Sequence, residues 1–279
     1  MSLLVFFIVL AAALMHATWN ALVKGAEDRL MVLGLIALGH VGPGLVILTF
    51  TGLPRTASYA YIIASTVIHW GYYWFLNAAY RSGDLSVAYP IARGIAPVLV
   101  ALGAQVWIGE SLPLMAWAGI LAVSFGIGIL TFAGTGATTS WAGIAAALLT
   151  GLAIAAYSLA DGVGVRVSGN ALAYIALLFA AEAFVAGFIF FTRMDRLRAL
   201  PARTIWLGLL GGVVSSSAYA LVLYAKTLAP LGAVSALRET SVVFAALIGV
   251  IWLKEGPRSN RLAAACVVAC GIVALGAAT

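Results

Sequence analysis

The sequence predicts an all-α polytopic membrane protein, with ten transmembrane helices arranged as two inverted five-helix repeats. Three observations lead there. Of 279 residues, 64% are hydrophobic and only 9% charged, with a mean hydropathy of +1.10. A soluble domain carries about 25% charged residues, and a chain this short has too little interior to hide so many apolar side chains. Charged or turn-rich gaps divide the chain into ten apolar runs, and a helix needs about 20 such residues to cross hydrocarbon. Finally, the halves resemble each other at a shift of 145: Arg93 falls on Arg238, Trp107 on Trp252, Glu110 on Glu255 and Gly126 on Gly271. This composition excludes a soluble enzyme, a disordered tail and a secreted disulfide scaffold.

The runs cover 3–23, 30–52, 57–80, 85–108, 114–133, 141–165, 170–191, 205–226, 229–253 and 262–278. Lipid offers no partner to an unpaired backbone group, so each run is predicted helical. The first is long for a signal-peptide core and no Lys or Arg precedes it, so it reads as a spanning helix. The second holds His40 beside Gly39, Gly42, Pro43 and Gly44, which predicts a kink. In the eighth, Gly208, Gly211 and Gly212 permit close helix contact. The tenth holds Cys266 and Cys270, four apart on one helix; they read as small packing residues, since two thiols make half a zinc site at most. The gaps leave no room for a soluble domain.

Residues 1–133 and 141–279 thus read as two five-helix repeats. Apolar matches are cheap in this composition, but Arg, Trp and Glu matching at one offset are not. An odd number of spans per half turns the second copy upside down. Inverted repeats of this kind build alternating-access transporters, with the substrate site near the midplane between the halves.

The net charge is +6 and the pI about 9.5. Most Lys and Arg lie in short gaps between apolar runs, which points to membrane orientation rather than to nucleic acid. The odd-numbered loops hold Lys24, Arg29, Arg81, Arg193, Arg196, Arg198, Arg203, Lys254, Arg258 and Arg261; the even-numbered loops hold Arg55, Arg166 and Lys226. This bias places the odd loops in the cytoplasm and both termini outside.

Ionisable and polar groups inside spans are costly and point to partners or water. Arg93 and Arg238 are the first candidates: two guanidiniums related by the repeat can grip a carboxylate or phosphonate from two sides. The competing reading is structural, with Glu239, Asp161 or Glu182 neutralising each Arg and tying helices together. His16, Trp19, Asn20 and Lys24 share one face of the first helix, with Tyr157 and Asp161 as counterparts in the sixth; a packed polar seam is the alternative. In the third helix Thr66, His69, Trp70, Tyr73, Asn77 and Tyr80 follow helical spacing, flanked by Tyr72 and Trp74. They read as a cavity wall able to stack on a flat substrate or hold a cation, or as interfacial anchors. Tyr219 and Tyr224 are their second-half candidates. Glu182 and His40, both mid-helix, are titratable groups of the kind a proton-coupled exporter requires, or neutral hydrogen-bonded residues. Glu110 and Glu255 lie near the start of the following helix, where a carboxylate suits the positive dipole end.

The stretch Ala96-Pro97-Val98-Leu99-Val100-Ala101, followed by Trp107-Ile108-Gly109-Glu110, Gly119 and Gly126, resembles the EamA domain of the drug/metabolite transporter superfamily. A second copy runs from Val242 to Ala246, then Trp252-Leu253-Lys254-Glu255 and Gly271. The run Ala88-Tyr89-Pro90-Ile91-Ala92-Arg93-Gly94 resembles one bacterial branch, and adds Tyr89 to the candidate site. The resemblance implies ten helices, a central cavity formed by helices 1, 3, 4, 6, 8 and 9, and movement of small metabolites, often amino-acid export. It also implies cytoplasmic termini, opposite to the charge count.

The function expected is secondary transport across the plasma (inner) membrane. The cargo is a small polar metabolite, most simply an amino acid or related zwitterion moving outward. Arginines suit its acid group, aromatics its body and a carboxylate its ammonium. No cofactor, metal or nucleic acid is expected; the partners are the substrate, the lipid bilayer and a proton as candidate coupling ion, and a monomer suffices. The alternatives are a carrier of cationic or aromatic compounds and, from other classes, a lipid scramblase, an intramembrane enzyme or a structural membrane subunit.

Overall fold

The structure, a computed structural model, describes residues 1–23, 28–82, 85–132, 140–251 and 258–278. Among these residues all regular structure is helical. The helices are α1 (Leu3–Val23), α2 (Arg29–Thr51), α3 (Tyr59–Ser82, entered through a 3₁₀ turn at Thr56–Ser58), α4 (Leu85–Ile108) and α5 (Leu114–Phe132). They continue with α6 (Trp141–Val167), α7 (Ala171–Ala181), α8 (Ala183–Thr192), α9 (Met194–Ala199), α10 (Ala202–Leu228), α11 (Leu231–Arg238), α12 (Thr240–Ile251) and α13 (Arg258–Ala278).

Among the described residues, six stretches are long and apolar enough to cross a membrane: Leu3–Ala21, Leu30–Thr51, Pro90–Ile108, Trp141–Val167, Ala171–Thr192 and Ala202–Leu228. Leu114–Ile129 and Ala263–Ala278 are shorter apolar helices. α3 is not among them, because its tyrosines, His69 and Asn77 dilute an otherwise apolar sequence.

Local chemistry sets several ends. Asp28, Ser140 and Asn170 each accept a hydrogen bond from the backbone N–H three residues on, at 3.2, 3.1 and 3.2 Å, satisfying a donor that the first helical turn leaves unpaired. Pro201 and Pro230 precede α10 and α11, where the missing N–H costs nothing. Two spans are interrupted at a glutamate. Glu182 separates α7 from α8, and Glu239 separates α11 from α12. At both, the glutamate N–H donates to the carbonyl three residues back, Phe179 or Ala236. α2 runs as one helix through Pro43, while its packing partner α7–α8 is interrupted at Glu182.

Close approach of backbones fixes how the helices run. A Cβ on Gly119 would stand 2.7 Å from the Gly271 carbonyl oxygen, and one on Gly271 2.8 Å from that of Gly119. Gly126, further along α5, meets Ala264 and Val268, earlier in α13. α5 and α13 are therefore antiparallel. The same holds for α2 and α7–α8: Gly44 packs on Ala176 and Ala180, Gly34 on Ile189 and Phe190. α1 lies along α10 and α3 along α6, while α4 and α12 flank α5 and α13. The largest core joins α1, α5, α10, α11 and α13 through Val5, Ile120, Val222, Val234, Leu237 and Val268.

Replacing Gly119 by leucine opens the α5–α13 seam, since the blocking atoms are backbone and cannot rotate away. Overpacking of this kind costs about 1–3 kcal/mol. The expected result is a melting temperature several degrees below the parent in a detergent thermal-shift assay; an unchanged value would remove the close contact from the account.

Candidate functional site

Among the described residues, the charged side chains of the span interiors other than Glu182 converge where α4, α6, α10 and α11 meet. Arg93 on α4 is 5% exposed and Glu239, at the α11–α12 junction, 3%. Arg93 Nε donates to Glu239 Oε2 at 3.0 Å, and its Nη2 to Ser241 Oγ at 3.4 Å. The ion pair thus bridges residues 146 apart in sequence, one in each predicted repeat. Arg238 and Glu239 are neighbours that point apart, as i and i+1 on a helix do. The Arg238 guanidinium lies over the Tyr219 ring, 5.4 Å from its centroid. Among the described residues Arg238 makes no ion pair.

Asp161 is fully buried on α6 and accepts two hydroxyl hydrogen bonds, from Tyr219 Oη to Oδ2 at 2.5 Å and from Tyr174 Oη to Oδ1 at 2.9 Å. A carboxylate held this way keeps its polar atoms satisfied without a direct cation. One turn earlier the Ser158 carbonyl accepts from Lys226 Nζ at 2.8 Å. Lys226 is wholly buried within α10, so it is not the loop charge that the sequence suggests.

Aromatic rings form the adjoining wall. Tyr157 stacks on His69 at 4.0 Å between centroids and an interplanar angle of 24°, with Tyr72 and Tyr219 edge-on to it at 6.1 and 6.3 Å. His69 is itself fixed by a 2.8 Å contact between Nδ1 and the Ser65 carbonyl. On α1, Trp19 Nε1 donates to His16 Nδ1 at 3.2 Å and Asn20 Nδ2 to the His16 carbonyl at 2.8 Å. His16 lies within electrostatic reach of Arg93 and Arg238. A void of about 10 Å³ sits between Pro97, Ile154, Ser158, Ser235, Arg238 and Glu239, so the halves are closed around the charges.

The structure therefore brings His16, His69, Tyr157, Asp161, Tyr219, Arg93, Arg238 and Glu239 into one neighbourhood, with Trp19 and Asn20 on the His16 face. Tyr73 is half-buried and within electrostatic reach of Glu182. Trp74 is 76% exposed and Asn77 exposed. The side chain of Tyr89, like that of Tyr80, falls outside the described residues, as do Lys24 and Glu255. Sequence reasoning missed Tyr174, Ser158, Ser235, Ser241 and the inward role of Lys226. Serines are ordinary in such helices and Tyr174 passes for an interfacial ring. Lys226, two residues before the end of a 27-residue helix, was the available signal.

A second cluster lies toward the even-loop end. Arg166 Nη1 donates to Glu110 Oε1 at 2.7 Å, its Nε to the Lys226 carbonyl at 2.7 Å and its Nη2 to the Ala229 carbonyl at 2.9 Å. Glu110 Oε2 accepts from the Leu231 N–H at 2.7 Å. Glu110 thus serves the start of α11, not of α5 which follows it in the chain. A separate apolar groove of about 540 Å³ opens beside Tyr61, Ala64, Ile68, Trp107 and Leu159.

Residues 141–277 match the EamA-like transporter family. That segment belongs to this family. No curated protein sequence matches the chain. A solved crystal structure of a protein superposes with a TM-score of 0.78 at 18% identity, covering 97% of this chain and 95% of the other; at that identity it shows a shared fold over nearly the full length. Family membership makes the protein a multi-pass membrane transporter of the drug/metabolite superfamily, in a family of transporters rather than enzymes.

Proposed function

We propose that this EamA-like protein is a secondary transporter of ten spans in two inverted repeats. It moves an amino acid or related zwitterion by alternating access around the Arg93–Glu239 site, most simply outward across the plasma (inner) membrane. Leaving out the six-residue α9 and counting α7–α8 and α11–α12 as one interrupted span each gives ten. The antiparallel course of α5 against α13, and of α2 against α7–α8, supports inversion, because each pair occupies matching positions in the two halves. Residues 1–133 and 141–279 are then the repeats.

The observation that carries the substrate class is Arg238. It is a guanidinium inside the protein, parked over a tyrosine ring, with no ion pair among the described residues, beside a void bordered by Glu239. A substrate carboxylate offers Arg238 a bidentate partner, and a substrate ammonium finds Glu239 or Asp161. The halves must part to admit it, since the void as it stands holds no metabolite. His16, Trp19, Asn20, Tyr73, Trp74, Asn77 and Tyr89 are proposed to line the path. Vesicles reconstituted with the protein, loaded with a radiolabelled mixture of amino acids, are expected to release label faster than protein-free vesicles. Equal rates across amino acids, amines and nucleobases would refute transport.

The rings of His69, Tyr72, Tyr157 and Tyr219 support a second reading, a carrier of aromatic or cationic compounds. Arg93→Gln and Arg238→Gln separate the two. Loss of amino-acid flux favours the first reading, and retained flux of an organic cation the second.

A further inference from the structure

Among the described residues, Glu182 and His40 are mid-span titratable groups that the central site leaves unused. Both lie at the middle of a membrane span, Glu182 between α7 and α8 and His40 in α2. The Gly44–Ala180 and Gly34–Phe190 contacts fix the antiparallel register of these helices, and that register sets His40 level with Glu182 on one seam. His40 is also in ring contact with Phe179, 5.3 Å between centroids, one turn before Glu182. Among the described residues, three buried side-chain polar atoms have no hydrogen-bond partner, and two of them are Glu182 Oε2 and His40 Nε2. Native interiors satisfy nearly all buried polar groups, and an orphan calls for an explanation.

A carboxylate at that depth, without donor or cation, is the costliest form of the residue. The neutral carboxylic acid avoids the charge. The groups within electrostatic reach offer one favourable partner, the His69 imidazole. They are His69 and Tyr73 of α3 and Asp161 of α6, and the last of these is itself acidic. Glu182 also occupies the interruption of its span, where the glutamate N–H bonds to Phe179 and Ala180 carbonyls instead of continuing the regular ladder. The seam can therefore bend where the acid sits.

We propose that Glu182, level with His40 on the α2/α7–α8 seam, is a proton-binding site that couples proton movement to transport. In the closed arrangement Glu182 carries the proton. When the α7–α8 junction opens to water, the Oε–H bond breaks, the electron pair stays on the carboxylate oxygen and the proton leaves to water. The coupling half of this inference rests on the transport reading above; the proton-binding half does not.

The test uses the full-length protein in lipid vesicles, as wild type, Glu182→Gln and Glu182→Asp. Infrared spectra at neutral pH are expected to show a protonated-carboxyl C=O band that Glu182→Gln lacks and Glu182→Asp retains at a shifted position. In flux measurements with the labelled amino-acid mixture, an imposed pH gradient is expected to speed wild-type movement and to drive Glu182→Gln at least tenfold more slowly. An ionised Glu182, seen as absence of that band, overturns the site. Wild-type flux indifferent to the gradient overturns the coupling. A band that behaves as expected in vesicles without any flux upholds the site and refutes the transport reading instead. Equal monodispersity and melting of Glu182→Gln and wild type distinguish a lost proton from a lost fold.

Discussion

Alanine in place of Arg93 is expected to lower the melting temperature of the purified protein by roughly 10 °C and to abolish flux. Removing one member of a buried pair strands the other charge, here Glu239 at 3% exposure, at a cost of about 3–5 kcal/mol; each kcal/mol shifts the midpoint of a chain this size by about 2–4 °C. Glu239→Ala is expected to do the same from the other side. The double replacement Arg93→Met with Glu239→Met carries no uncompensated charge, so it should regain most of the lost stability while transport stays abolished. That contrast separates a buried pair from two independent anchors, which would give additive losses. Single variants that melt with the parent would show that the pair is not desolvated.

Arg238→Gln has the opposite signature. Among the described residues its guanidinium bonds to no carboxylate, and the contact it loses is the stacking on Tyr219, so melting should stay within a few degrees of the parent. Flux of carboxylate-bearing substrates should fall about a hundredfold, because a hydrogen bond to a charged group contributes about 1.5–3 kcal/mol and every 1.4 kcal/mol is tenfold. Arg238→Lys should recover part of this, keeping the charge but not the two-pronged geometry. Paired measurements of melting and of labelled amino-acid flux check both halves. A variant that melts early and transports normally would reverse the roles assigned to the two arginines.

The contrast between Arg93 and Arg238 also shows how far the sequence can be read. Their shared offset identified them as equivalent, and the cost of a guanidinium in hydrocarbon pointed both inward. Nothing local said that Arg93 would find Glu239 while Arg238 would rest on Tyr219, because those partners depend on how α4, α10 and α11 cross. Helix positions were legible for a simpler reason: hydrocarbon demands satisfied backbone and apolar side chains together, and both are written in each run. The breaks at Glu182 and Glu239 were not legible, since one residue of altered hydrogen bonding leaves no mark on hydropathy. Lys226 was misread because a lysine near the end of an apolar run has two solutions, reaching for the interface or donating inward. Ser158, one helix away, decides for the second. Glu110 shows the same limit: its likeness to a helix-start carboxylate was sound, but the helix it serves is α11, on the far side of the interface.

Accessibility of Ser235 tests the central claim most directly, because it borders the void between the halves and is only 8% exposed in the closed form. The exposed thiols Cys266 and Cys270 are first replaced by serine, and Ser235→Cys is introduced into protein reconstituted in vesicles. Halves that part around a hydrated site predict labelling by a membrane-impermeant thiol reagent, and slower labelling when the amino-acid mixture is present. A cysteine that stays unlabelled with and without substrate, in protein that carries flux, would contradict a pathway between the halves.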